Sequence, residues 1–166
     1  PVAARLAGRK GLPVDVSFDA PFPTTPGLVA RDYQTGDGAY VLVAPAKGPL
    51  KKVVSDKVFA ADGKYGSYGA PSEVKLKGSE RRGDGDEVFE YTFVALTPAM
   101  REVARRVRAR AIQVGGDDVF ILVAGSTAAR WRAAEPALSK AVDSFAARPA
   151  PEFSAEMVAF RKKGGK

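Results

Sequence analysis

The run from Arg101 to Val114, REVARRVRARAIQV, can fold in few ways. Wound as a helix, its arginines scatter around the cylinder. Extended with period 2, Arg106, Arg108 and Arg110 share one face, and Val107, Ala109 and Ala111 share the other. Only the extended form sorts charge from apolar groups, so the run is expected as a strand with a strongly basic face. Its neighbours agree. In Val88–Leu96, Phe89, Tyr91, Phe93 and Ala95 fall on one face, with Glu90 and Thr92 on the other. Val119–Ala124 is apolar on both faces, the mark of a central strand covered on both sides. Gly115-Gly-Asp-Asp118 and Gly83-Asp-Gly-Asp86 read as hairpin turns, the second following a strand over Val74–Arg82. Trp131, Ala134, Leu138, Val142 and Phe145 then recur at three- and four-residue steps, which is one face of a helix. Ser126 or Thr127 offers an N-cap. Pro136 is expected at the first position of the main helix, after a turn that carries Trp131 as a core anchor.

The earlier part of the chain is less regular. Pro1–Pro13 carries Arg5, Arg9 and Lys10 with few large apolar residues, and is expected as a flexible basic arm. Val14–Phe18 alternates as a short strand. Leu28–Gln34 and Ala39–Ala44 are further strands, joined by the turn Thr35-Gly-Asp-Gly38. Leu50–Phe59 is open between two forms: its apolar residues and lysines suit one face of a short helix, while its valines also suit an extended segment. Ala60–Ser72 is expected as a loop lined by Tyr65 and Tyr68. Its glycines lack the spacing of a dinucleotide fingerprint or a P-loop. After Phe145 the chain turns proline-rich and ends in Arg161-Lys-Lys-Gly-Gly-Lys166, an extended basic tail docking elsewhere or disordered. The expected division is an arm over 1–13, a domain over 14–147 and a tail over 148–166.

Composition narrows the chemistry. The chain has 166 residues, enough for one domain, and no apolar run approaches the roughly 20 residues of a membrane span. A chain opening on Pro1 fits removal of a presequence, or a sequence that leaves it out. With no cysteine and no histidine, disulfides, thiol chemistry, histidine acid–base catalysis and His/Cys zinc sites are excluded. An oxygen-ligand metal site is still open, but Asp84, Asp86 and Glu87 lack the twelve-residue calcium-loop pattern and read as a solvated turn. The net charge of +7 favours acidic partners.

The order of these pieces resembles the PsbP-like proteins of the thylakoid lumen. The matching residues are Phe89-Glu-Tyr-Thr-Phe93, Arg105-Arg106, Val119-Phe-Ile-Leu-Val123, Thr127, Trp131, Leu138, Val142 and Asp143-Ser-Phe145, with Gly69-Ala-Pro-Ser-Glu-Val74 upstream. In that family the upstream element usually opens a helix, whereas Val74–Arg82 looks strand-like here. The histidines that ligate metal in some members have no counterpart, so metal binding is not carried over. The resemblance implies an α+β fold: an α-β-α sandwich with a central antiparallel sheet. It further implies import into the chloroplast thylakoid lumen. The role it implies is a non-enzymatic extrinsic subunit or assembly factor of a photosynthetic membrane complex, peripheral to the membrane. Photosystem II, photosystem I and the lumenal side of a chloroplast dehydrogenase complex are all served by the family.

Three functions are weighed. The first is docking on such a complex through Arg106, Arg108 and Arg110, with Lys162 and Lys163 in the tail, and without cofactor or metal. Against a docking role for the arginines stands the possibility that they pair with cross-strand acids such as Glu90, or cover a helix with their stems. The second is a basic nucleic-acid-binding module, disfavoured because the aromatics alternate inward rather than forming a stacking surface. The third is a small enzyme or ligand carrier using the Tyr65–Tyr68 loop with nearby acids. No nucleophile or paired-carboxylate constellation supports it, and its structural sign would be a well-formed apolar pocket beside that loop.

Overall fold

The apolar run around Val119–Ala124 becomes the middle of a seven-stranded sheet. A computed structural model describes residues 2–8, 13–20, 24–25 and 28–150. The sheet order is β3 (Thr24–Thr25), β4 (Val29–Arg31), β5 (Gly38–Pro45), β9 (Asp118–Thr127), β8 (Glu102–Val114), β7 (Asp86–Leu96) and β6 (Ser72–Gly83), with neighbours antiparallel. In β9, Val119 through Ala124 are fully buried, as a strand covered on both faces must be. The tight β6–β7 turn places Gly85 at φ +64, a left-handed conformation that a side chain resists.

Period 2 then assigns the two faces. Phe120, Leu122 and Ala124 of β9 meet Trp131, Ala134, Leu138 and Val142 of helix α2 (Trp131–Ser144). On the other face Ile121 and Val123 join Phe89, Tyr91 and Phe93 of β7 and Val107 of β8, covered by Val53, Val54 and Val58 of helix α1 (Leu50–Val58). The ambiguous 50–59 segment is thus helical over Leu50–Val58, because burial of those valines outweighs their β-branched preference for extension. The chain is α+β, with an antiparallel sheet between helices, the layering that the resemblance implies.

Three expectations change. Val2–Ala7, read as a flexible arm, forms strand β1, paired along its length with β2 (Pro13–Phe18). Arg5 lies across from Asp15 and donates to it at 2.7 Å, so that charge is tied to the fold. Arg9 and Lys10 lie outside the described residues. On the far edge of β2, β10 (Ala146–Pro149) completes a three-stranded sheet over α2, so the chain stays structured just past the expected end of the domain. Beyond Ala150 the tail, with Lys162 and Lys163, lies outside the described residues.

Third, Pro136 does not open the main helix: α2 starts at Trp131 and runs through it. Proline removes one helical hydrogen bond, the one to the Arg132 carbonyl. Both residues face solvent, so water can serve that carbonyl, while Trp131, Ala134 and Leu138 bury one unbroken stripe. No side-chain N-cap forms either. Thr127 leads into a 3-10 turn over Ala128–Arg130 without a capping bond, and the Ser126 hydroxyl donates to the Thr127 carbonyl at 2.9 Å.

Candidate functional site

The arginine row lies where strand parity puts it, on the face of β8 turned toward α2. The β7–β8 register sets Glu90 opposite Arg108 and Val88 opposite Arg110, so acids on the same face of β7 come within reach. Arg106 donates to Glu90 through Nε at 3.1 Å and through Nη2, and stacks over Trp131 with its guanidinium 5.0 Å from the ring centre. Arg108 donates to Glu90 at 2.8 Å and to Glu135 of α2 at 2.8 Å, and it also meets the Ser139 hydroxyl. Arg110 grips Asp86 with two bonds of 3.0 and 2.8 Å. Its Nη1 also donates to the carbonyls of Val142 and Asp143, at 3.0 and 3.1 Å. Those carbonyls close α2, whose last turn holds no basic residue of its own, so Arg110 supplies the cation that the negative end of the helix dipole favours.

Charge settles into this network. Desolvation alone would raise the Glu90 carboxyl, but the guanidiniums of Arg106 and Arg108 prevail and hold it below its ordinary range. The Ser139 hydroxyl, and then Arg108, hold the Glu135 carboxyl down as well. Any partner reaching Arg106, Arg108 and Arg110 has to compete with acids and carbonyls already in place.

A second basic surface lies at the sheet edge. All twelve residues of β6 are exposed, and β6 pairs only with β7, leaving its outer edge open among the described residues. Lys75 and Lys77 interleave with Val74 and Leu76 and meet no acid among the described residues. Arg81 and Arg82 are paired, with Asp84 at 2.7 Å and Asp143 at 2.7 Å respectively.

The third feature is a cleft on the α1 side, beside the tyrosine loop. It has a volume of about 540 Å³ and lies between the β4–β5 hairpin, the 63–69 loop and the turn that follows β7. Ala95, Leu96 and Val103 give it apolar wall, and Arg31, Lys64 and Arg105 give it charge. No acid lines it among the described residues, which departs from the expectation of acids near Tyr65 and Tyr68. The guanidinium of Arg105 sits 5.4 Å from the Tyr65 ring centre, and its Nη2 donates to the Gly36 carbonyl at 3.4 Å. Its Nε is buried without a partner, and the Tyr40 hydroxyl is buried without a well-formed bond, its interaction being with the Tyr65 hydroxyl. Burial, reinforced by Tyr65, raises the Tyr40 hydroxyl well above its ordinary value, so it stays protonated and able to donate. Lys64 lies 4.9 Å over the Tyr40 ring; desolvation, and then Arg31, make it more acidic than an ordinary lysine.

Sequence reading expected a loop lined by Tyr65 and Tyr68, which do line this cleft, but it did not expect the cleft and missed Tyr40, Lys64 and Arg105. One signal was present for Arg105. It has the parity of Val107 and Ala109, so it is an arginine on the apolar face of β8.

No family model and no curated protein matches the chain. Among solved structures it is similar to LpqN of Mycobacterium tuberculosis, described as involved in cell envelope biogenesis, with a TM-score of 0.51 and 12% identity over 89% of this chain and 91% of that one. Cyanobacterial PsbP (CyanoP) from Synechocystis matches with a TM-score of 0.46 and 16% identity over 87% of this chain and 91% of that one. A protein of unknown function from Pseudomonas aeruginosa, PA94, described as a putative regulator, matches with a TM-score of 0.45 and 13% identity over 90% of this chain and all of that one. At such identities a likeness concerns the fold and carries no activity with it.

Proposed function

We propose that this is a non-catalytic docking protein that binds an acidic protein surface through the β6 edge. The observation that carries this reading is a twelve-residue edge strand exposed along its whole length. Such an edge offers unpaired backbone groups to a partner strand, and Lys75 and Lys77 favour an acidic one. In this reading the row Arg106, Arg108 and Arg110 holds α2 to the sheet, and Lys162 and Lys163 add charge from the tail. The finer form of the proposal is an extrinsic subunit or assembly factor on the lumenal face of a photosynthetic membrane complex, first photosystem II, then photosystem I or a chloroplast dehydrogenase complex. It rests on the residue pattern described above, and the absence of any described helix long and apolar enough to cross a membrane is compatible with it.

Affinity capture from solubilised thylakoids tests both levels. Wild-type protein is expected to retain one photosynthetic complex, and retention should fall with salt. Lys75→Glu with Lys77→Glu should abolish retention at unchanged thermal stability. Lys162→Glu with Lys163→Glu reports on the tail. Capture of no photosynthetic complex would refute the finer form, and capture indifferent to the β6 reversals would refute the edge as the docking surface. A nucleic-acid-binding role has less support, because Phe89, Tyr91 and Phe93 are buried and unavailable for base stacking. A gel shift at low salt that weakened as salt rose would reinstate it.

A further inference from the structure

The cleft beside the tyrosine loop has a chemistry that docking through β6 does not use. Arg31, Lys64 and Arg105 line it without an acid among the described lining residues, and none of the three forms a salt bridge with a described residue. Of the acids on the adjoining turn, Asp37 is taken by Arg130 at 2.9 Å, and Asp32 accepts from the backbone N–H groups of Gln34 and Thr35. Like charges gathered without a counter-ion repel one another unless an anion joins them. Of two buried donors here, the Arg105 Nε–H has no acceptor and the Tyr40 hydroxyl makes no well-formed bond, interacting only with the Tyr65 hydroxyl, whereas a fold normally supplies a full partner for a buried donor. Both belong to residues that line the cleft. The remaining wall mixes aliphatic side chains such as Leu96 and Val103 with Ser67, Tyr68, Thr97 and Thr127, so a ligand seated there meets both charge and hydrocarbon. The volume lies in the range of small-molecule sites.

We propose that this cleft binds a small organic anion, a carboxylate or phosphate monoester carried on an apolar body. Arg105 and Lys64 hold the anionic group, Tyr40 and Tyr65 flank it, and Leu96 and Val103 receive the body. Arg105 is already oriented by the Tyr65 ring and the Gly36 carbonyl, so little ordering is needed on binding.

Isothermal titration calorimetry on the whole chain tests this with octyl phosphate, octanoate, inorganic phosphate and octanol. Octyl phosphate and octanoate are expected to bind saturably, inorganic phosphate more weakly, and octanol not at all. Arg105→Gln should weaken binding about tenfold or more, through loss of charge-assisted bonds. Because Arg105 also touches the Gly36 turn, Lys64→Gln serves as the second variant: an exposed side chain whose loss should weaken binding with the melting temperature unchanged. Tyr40→Phe separates ligand from fold most sharply. It removes a hydroxyl with no well-formed bond in the protein beyond its interaction with Tyr65, so stability should change little while affinity falls. No saturable binding of either amphiphile, octanol binding as well as octanoate, or affinities indifferent to Lys64→Gln and Tyr40→Phe would overturn the proposal. So would flotation on phosphatidylglycerol vesicles that Lys64→Gln abolishes, since the anion would then be a membrane headgroup rather than a free molecule.

Discussion

Replacing Glu90 by Gln keeps the side chain's shape and removes the charge that two guanidiniums share. Glu90 is 16% exposed, against 34% for Arg106 and 28% for Arg108. An exposed pair contributes about 0.2–1 kcal/mol, and loss of a partner from a fully buried pair costs about 3–5 kcal/mol. This network lies between those limits. The glutamine oxygen can still accept from one arginine, but its amide N–H₂ then faces the other. Arg108 keeps Glu135 at 2.8 Å, so Arg106 is the arginine left short, with only the Trp131 face beside it. The loss is one charge-assisted hydrogen bond, about 2 kcal/mol. For a chain of this size that is a fall of about 4–8 °C in melting temperature. Urea unfolding should show a lower midpoint at unchanged slope. A double-mutant cycle with Arg106→Gln should give a coupling of about 1 kcal/mol or more, whereas a cycle with the distant Arg5→Gln should be additive. A Glu90→Gln effect below about 0.5 kcal/mol, or zero coupling to Arg106, would refute the closed network and leave the row free for a partner.

The same network sets an acid limit. Glu90 and Glu135 titrate below their ordinary value of 4.5 when folded, so their contribution is complete above that pH and is lost as pH falls through the folded values. The stability gap between wild type and Glu90→Gln should therefore shrink as pH falls below the ordinary value of 4.5, as urea titrations at stepped pH will show. Gly125→Ala puts a Cβ 2.5 Å from the Val107 Cγ1 and 3.0 Å from the Arg106 carbonyl, and should lower stability by about 1–3 kcal/mol in urea unfolding. Arg110→Met retains the stem but strips Asp86 and the end of α2 of their donor. It should destabilise by about 2 kcal/mol or more in urea unfolding, whereas Arg81→Met at the exposed β6–β7 turn should change little.

Much of the sheet was legible because its strands alternate strictly. A helix cannot sort Arg106, Arg108 and Arg110 from Val107 and Ala109, so parity alone fixed the faces of β8. What the arginines meet was not fixed by parity. It depends on the register set by the 97–101 turn, where the Thr97 N–H donates to the Arg101 carbonyl at 3.0 Å, and on which face α2 covers. β1 was illegible for a different reason. Val2–Ala7 is mostly small residues with an arginine, and it becomes a strand because β2 offers an edge and Asp15 offers Arg5 a partner. Helix α1 lacks a capping side chain at Pro49, and its exposed Lys52–Asp56 pair adds little, so burial of Val53, Val54 and Val58 mainly selects it, and burial is a property of the assembled fold. The cleft is still less local. Tyr40, Lys64 and Arg105 come from three separate segments, and no spacing rule links them.

The Arg110 clasp on α2 bears on the order in which the chain folds. A helix of fourteen residues is marginal by itself in water. This one leaves its closing carbonyls to a guanidinium from more than thirty residues upstream. That guanidinium is aimed by Asp86, so it is in position only once β7 and β8 have paired. The helix thus draws part of its stability from the paired hairpin, and β7 and β8 are expected to pair before α2 locks onto them. Native-state hydrogen exchange should then show the amides of β8 and β9 opening with the whole molecule, and those in the last turn of α2 opening sooner.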